Sequence, residues 1–166
     1  MKKIALFVLI VAGFSFSWKT DMKAPDTVPS IKLKDLNGKE VDLKDYAGKG
    51  KITIIDFWAT WCAPCKKEIE NINDNLADWK KKYDLNMVAI SIDDARNSMK
   101  VKPYVDGKKW ACDVFLDVNG DTQRGLGFQN VPYTILIDKQ GNIVYKHAGY
   151  TEGDEFELEN QIKRLK

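Results

Sequence analysis

Cys62 and Cys65 stand two residues apart in Trp61-Cys62-Ala63-Pro64-Cys65. Thiols at that spacing can close a small reversible disulfide, or they can supply half of a metal site. Redox exchange needs a reachable thiolate and a second thiol close enough to expel the product. The third cysteine, Cys112, is left over, and an odd number does not suit a structural disulfide framework. A metal centre would need two more ligands. There is no second Cys-x-x-Cys, and the single histidine, His147, lies late in the chain. A copper carrier built from Cys62, Cys65 and His147 is therefore the weaker alternative. A plain structural crosslink is weaker still, because closing so short a loop gains little entropy.

Two carboxyls fall near the pair. Asp56 interrupts the apolar run Ile52-Thr53-Ile54-Ile55-Asp56-Phe57, six residues before Cys62. A carboxylate buried without a partner raises its pKa or costs several kcal/mol. Beneath the cysteines it could take the proton of Cys65; at a wet strand end it would do nothing. Glu68, three residues after Cys65, sits at the edge of a helical apolar stripe. It either tunes a cysteine or is an exposed acid in the N-terminal part of the helix. Trp58, Trp61 and Tyr133 are expected around the site as apolar surface, with Trp58 the one most suited to the core. Cys112 reads as a small buried hydrophobe beside Trp110, and His147 as a structural or exposed residue.

The elements that must position these groups follow from periodicity. Ile52 to Phe57 reads as a buried strand. A helix from about Ala63 to Lys82 carries its apolar positions at Cys65, Ile69, Ile72, Leu76 and Trp79, alternately four and three apart. Met87 to Ile92 is a second buried strand, so the unit is βαβ with parallel strands. Cys62 falls where the helix starts, so its free amide N–H groups and dipole favour the thiolate there. Cys65 faces inward, and Pro64 is tolerated in the first turn. Cys62 is thus the attacking sulfur and Cys65 the resolving one. Earlier, Ile31–Leu33 and Lys39–Val41 flank Asp35-Leu36-Asn37-Gly38 as a hairpin. Later, Asp94 to about Asp106 looks helical but is broken or kinked by Pro103. Val114–Leu116 is a short strand, and Asn119 to Leu126 a short helix or turn. Tyr133–Ile137 and Ile143–His147 form a second hairpin, and a last helix runs from about Asp154 to Leu165. The class is α/β, with a mixed central sheet.

The 166 residues suit one folded domain. Met1-Lys2-Lys3 and the apolar stretch Ile4–Phe14 read as a signal peptide over residues 1–17, too short to span a bilayer well. The alternative is an uncleaved anchor, which would tether the protein to a membrane. Residues 18–30, with Pro25 and Pro29, read as a linker, and residues 31–166 as the domain. Beyond Ser17 there remain 24 basic and 24 acidic side chains, and no basic patch argues for nucleic acid.

The segment from Asp56 to Glu68, with Val131-Pro132 ahead of the late hairpin, resembles the thioredoxin superfamily, and most of all its exported TlpA/ResA-like thiol-disulfide oxidoreductases. The resemblance covers most of residues 25–166. It implies a thioredoxin-like fold with an N-terminal β-hairpin and a central insertion, and a redox-active Cys62–Cys65 disulfide needing no cofactor or metal. It implies a cis-Pro132 facing the cysteines, with Val131 offering backbone hydrogen bonds and Trp61, Ala63 and Pro64 meeting a bound client. Asp56 matches the buried acid of thioredoxin and Glu68 the acid of ResA-like proteins, so either could handle the proton. Peroxiredoxins share the fold, but their Pro-x-x-x-Thr/Ser-x-x-Cys loop is absent here. The expectation is a monomeric, periplasmic or otherwise extracytoplasmic reductase of client disulfides, supplied by a membrane thiol donor. A thiol oxidase or isomerase would use the same residues.

Overall fold

The computed structural model describes residues 26–166; the expected signal peptide and the first part of the expected linker lie outside them. The described residues form a seven-stranded sheet and four α-helices. The strands are β1 (Lys32–Asp35), β2 (Glu40–Asp42), β3 (Ile52–Trp58), β4 (Leu85–Ser91), β5 (Asp113–Leu116), β6 (Tyr133–Ile137) and β7 (Ile143–Ala148). The helices are α1 (Ala63–Tyr83), α2 (Val101–Lys108), α3 (Asp121–Leu126) and α4 (Asp154–Lys163). In space the strands run β2-β1-β5-β4-β3-β6-β7. β3, β4 and β5 are parallel, while β6, β7 and the β1–β2 hairpin join antiparallel. The sheet is mixed, as the βαβ unit and the two hairpins require.

β3 lies at the centre, and all seven of its residues are buried. Strand alternation divides them between two faces. Ile52, Ile54 and Trp58 pack with Ile69, Ile72 and Leu76 of α1 and with Leu158 and Ile162 of α4. Ile55 and Phe57 pack on the other side with Val28, Ile31, Leu43 and Phe128. Asp56 belongs by alternation to the α1 face. The parallel core strands are apolar on both sides because both sides are covered.

Three expectations change. Pro103 does not interrupt its helix, because α2 begins only at Val101, after a 3-10 turn over Ser98–Lys100. Pro103 therefore sits in the first turn, where a missing N–H costs nothing. Residues 26–30 are held against the domain rather than free: Thr27 bridges Asn142, Asp26 O accepts from Ile143 N at 2.7 Å, and Val28 is buried. The last helix stops at Lys163, two residues earlier than expected. One tight approach joins two loops. Gly48 has φ +70, and a Cβ there would lie 2.7 Å from Gly141 Cα, so the turn before β3 can close on the β6–β7 turn only without a side chain. No described helix is long and apolar enough to cross a membrane.

Candidate active site

The chain leaves the C-terminal end of β3 at Trp58 and enters α1 through Ala59-Thr60-Trp61, with Cys62 as the N-cap. That short loop is anchored to its neighbour strand. Asp93, just past β4, accepts from Thr60 N and Thr60 Oγ1, both at 2.7 Å, and from Ser91 Oγ at 2.8 Å. Ile92 N donates to Trp58 O, Cys62 N to Ala59 O, and Lys66 Nζ to Thr60 O. A buried carboxylate is tolerable here because its hydrogen bonds are made. Asp93 was not singled out from the sequence; an acid directly after the apolar run of β4 was the available signal.

Cys62 and Cys65 are joined as a disulfide, with Cα atoms 5.4 Å apart. Cys62 Sγ also accepts from Cys65 N at 3.3 Å, which is how a helix cap satisfies a first-turn amide. Cys62 is only 5% exposed and Cys65 fully buried. The residue read as the attacking thiol is thus nearly covered in the oxidised form. Around it Trp61 is 63% exposed, and Ala63 and Pro64 are also exposed. Val131 packs against the cluster that contains both cysteines. The Val131–Pro132 bond is cis, and β6 begins at once, with Tyr133 opposite Phe57. Pro132 O is occupied by Gly149 N at 2.8 Å. Trp58 lies in the core as expected, edge-on to Trp110, while Tyr133 stacks on Phe128.

The two carboxyls meet where β3, β6 and α1 pack together. Asp56 on β3 stands opposite Thr134 on β6, and Glu68 comes down from the buried face of α1, three residues after Cys65. Thr134 Oγ1 lies 2.8 Å from Glu68 Oε1 and 3.2 Å from Asp56 Oδ2, within reach to donate to either. Asp56 Oδ1 and Glu68 Oε2 have no partner. Burial pushes Asp56 well above the ordinary carboxylate range, and the Glu68 charge adds to this. Burial likewise pushes Glu68 up to about 7, with Asp154 and Glu155 adding and the Thr134 bond opposing. Neither acid is exposed: Asp56 is fully buried and Glu68 4% exposed. The structure joins Asp56 and Glu68 through Thr134, which sequence reasoning did not find, and Cys65 stands one turn before Glu68 on α1.

Cys112 and His147 lie outside the disulfide. Burial pushes the Cys112 thiol up to about 12, with the Asp56 charge second, so it is a poor nucleophile at neutral pH. His147 on the edge strand β7 pairs with Asp154 at 3.2 Å. Among the described residues no three His, Cys, Asp or Glu side chains are grouped to hold a metal ion.

Comparison with known proteins agrees with this geometry. The AhpC/TSA family profile matches residues 24–146. The thiol-disulfide oxidoreductase ResA of Bacillus cereus is 31% identical over 150 residues, which cover 90% of this chain and 83% of that protein. The solution structure of a thioredoxin-like protein from Porphyromonas gingivalis superposes with a TM-score of 0.74 at 40% identity, covering 83% of this chain and 90% of that one. The thioredoxin domain of a thiol-disulfide oxidoreductase from Bacteroides vulgatus gives a TM-score of 0.67 at 25% identity, covering 86% and 97%.

Proposed function

The chain belongs to the AhpC/TSA family, and on that premise we propose that it is a thiol-disulfide oxidoreductase that reduces disulfides of client proteins outside the cytoplasm. The observation that carries the reading is the Cys62–Cys65 disulfide across the first turn of α1, with Cys62 slightly exposed and Cys65 fully buried. The helix N-terminus favours the Cys62 thiolate. That thiolate attacks a client disulfide and bonds to one client sulfur; the other leaves as a thiolate and is protonated. Cys65 then gives its proton to the buried carboxyls, and its sulfur attacks Cys62. The Cys62–Cys65 bond forms, the mixed disulfide breaks, and the second client sulfur leaves. Two electrons pass from the dithiol to the client. A membrane thiol donor returns them by the reverse exchange.

Exposed Trp61, Ala63 and Pro64 form the surface that meets the client, with half-buried Val131 and buried Pro132 at the same end of the sheet. Val131 offers its backbone to the client chain. Export is supported by the basic start and the apolar stretch Ile4–Phe14; the protein acts as a monomer, free or tethered by that stretch.

Reduction of insulin disulfides tests the assignment. Cys62→Ser brings the rate to background, Cys65→Ser accumulates a mixed disulfide through Cys62, and Cys112→Ser keeps the wild-type rate. Equal loss in Cys62→Ser and Cys112→Ser would overturn the roles. Equilibration with glutathione fixes the direction: a pair more reducing than glutathione supports the reductase, and an oxidising pair favours an oxidase or isomerase.

A further inference from the structure

Thr134 has one hydroxyl hydrogen and two carboxyl neighbours. It can donate to one of them only. If both carboxyls were ionised, its oxygen would face the lone pairs of the second across a buried gap, and none of the ion pairs among the described residues reaches either acid. Two like charges so placed cannot both persist without cations. The distances also rank the bonds. The contact to Glu68, at 2.8 Å, has ordinary hydroxyl hydrogen-bond length, and the contact to Asp56, at 3.2 Å, is the longer and weaker one.

We propose that Asp56, Thr134 and Glu68 form one hydrogen-bonded unit holding a single proton, with Asp56 as the acid that donates to Thr134 and Glu68 as the carboxylate that accepts from it. Thr134 is the positioning residue: it orders which acid keeps the proton. This deepens the dithiol cycle above and rests on it. When Cys65 resolves the mixed disulfide, its S–H proton passes to Glu68, whose Oε2 is unpartnered. The sulfur electron pair left behind forms the bond to Cys62 Sγ, and the client sulfur departs with the pair of the broken bond. The unit, singly negative before, is then neutral.

The proton has a way out. Glu68 and Thr134 line a cleft shared with Tyr145 and His147 of β7 and Asp154 and Glu155 of α4. Its volume of about 10 Å³ is room for one water. The titratable groups around the unit are Tyr145 and His147 of β7 and Asp154 and Glu155 of α4 along the cleft, Cys112 ahead of β5 on the Asp56 side, and Cys65 one turn before Glu68 on α1. Asp154 and Glu155 hold negative charge at the cleft mouth and favour a proton on Glu68, and burial and the Glu68 charge keep one on Asp56.

Carboxyl-carbon NMR titration of the full oxidised chain, without a client, tests the unit. In the wild type both carboxyls report the same two macroscopic steps, with Asp56 protonated at neutral pH. Asp56→Asn removes the second of the shared steps and leaves Glu68 titrating in one. Thr134→Val raises it by about one to two pH units, the size of a lost hydrogen bond to a charged group, and Thr134→Ser restores it. A Glu68 that still titrates in two steps in Asp56→Asn, with a midpoint unmoved by Thr134→Val, overturns the unit, as does an ionised Asp56 at neutral pH. A chain that reduces no disulfide yet gives the shared steps supports the unit and refutes the cycle.

Discussion

Glu68→Gln tests the buried acid through stability rather than rate. The Glu68 carboxyl ionises at about 7 in the folded protein against an ordinary 4.5. At about 1.4 kcal/mol per pKa unit, the ionised form then costs the fold about 3 kcal/mol relative to the unfolded chain. The folded state binds more protons than the unfolded one throughout that window, so stability falls as pH rises. The contribution of the neutral acid is complete below about pH 4.5, declines through pH 7 and is gone by about pH 8. Glutamine keeps the shape and the acceptor for Thr134 but does not ionise. Urea denaturation of the oxidised proteins at a series of pH values should show a gap that moves by about 3 kcal/mol in favour of the variant from acid to alkaline pH, at unchanged m-value. In melting experiments the same gap is about 6–12 °C for a chain this long. A difference that stays constant with pH would refute the buried, raised Glu68.

Asp93→Asn should cost about 1–3 kcal/mol, since the buried amide cannot accept from Thr60 N, Thr60 Oγ1 and Ser91 Oγ as the carboxylate does; amide exchange at Thr60 and Cys62 should quicken more than at β6. Gly48→Ala should lower stability by about 1–3 kcal/mol, because its φ of +70 and the 2.7 Å approach to Gly141 both exclude a Cβ, while leaving the insulin-reduction rate intact at room temperature. Leu76→Ala, fully buried beneath α1, should cost about 2–5 kcal/mol, whereas Met99→Ala, 75% exposed, should stay within about 0.5 kcal/mol, both read by urea unfolding. Cys112 should resist alkylation by iodoacetamide at neutral pH in the oxidised protein, and mass spectrometry showing prompt labelling would contradict its raised thiol pKa.

The legible parts of this molecule are those encoded over short spans. The apolar stripe from Cys65 to Trp79 places α1 and its inward face, and the Cys62–Cys65 spacing at the helix start separates the two sulfurs. Asp56 is visible as a carboxylate inside an apolar run. What depends on register is hidden. Thr134 meets Asp56 only because β6 pairs with β3 at that offset, 78 residues apart, and Asp93 reaches Thr60 across 33 residues. Glu68 lay between two readings because an acid at the margin of a helical stripe turns inward only when something there can receive it; the receiver is Thr134. Pro103 was misjudged because its effect depends on where α2 starts, and the covered state of Cys62 because exposure is a property of the surrounding loops.

The anchoring of residues 26–30 has a geometric consequence for reach. Asp26 lies beside Ile143, which pairs with Ile137, which pairs with Thr53 near the start of β3. Lys146 adds an ion pair to Asp26 at 2.6 Å. From Thr53 the strand climbs to Trp58 before the loop delivers Cys62, a rise of about 17 Å at strand geometry. Asp26 therefore lies toward one pole of the domain while the sulfurs sit at the other. Residues 26–30 thus brace the domain at the end of the sheet away from the redox pair.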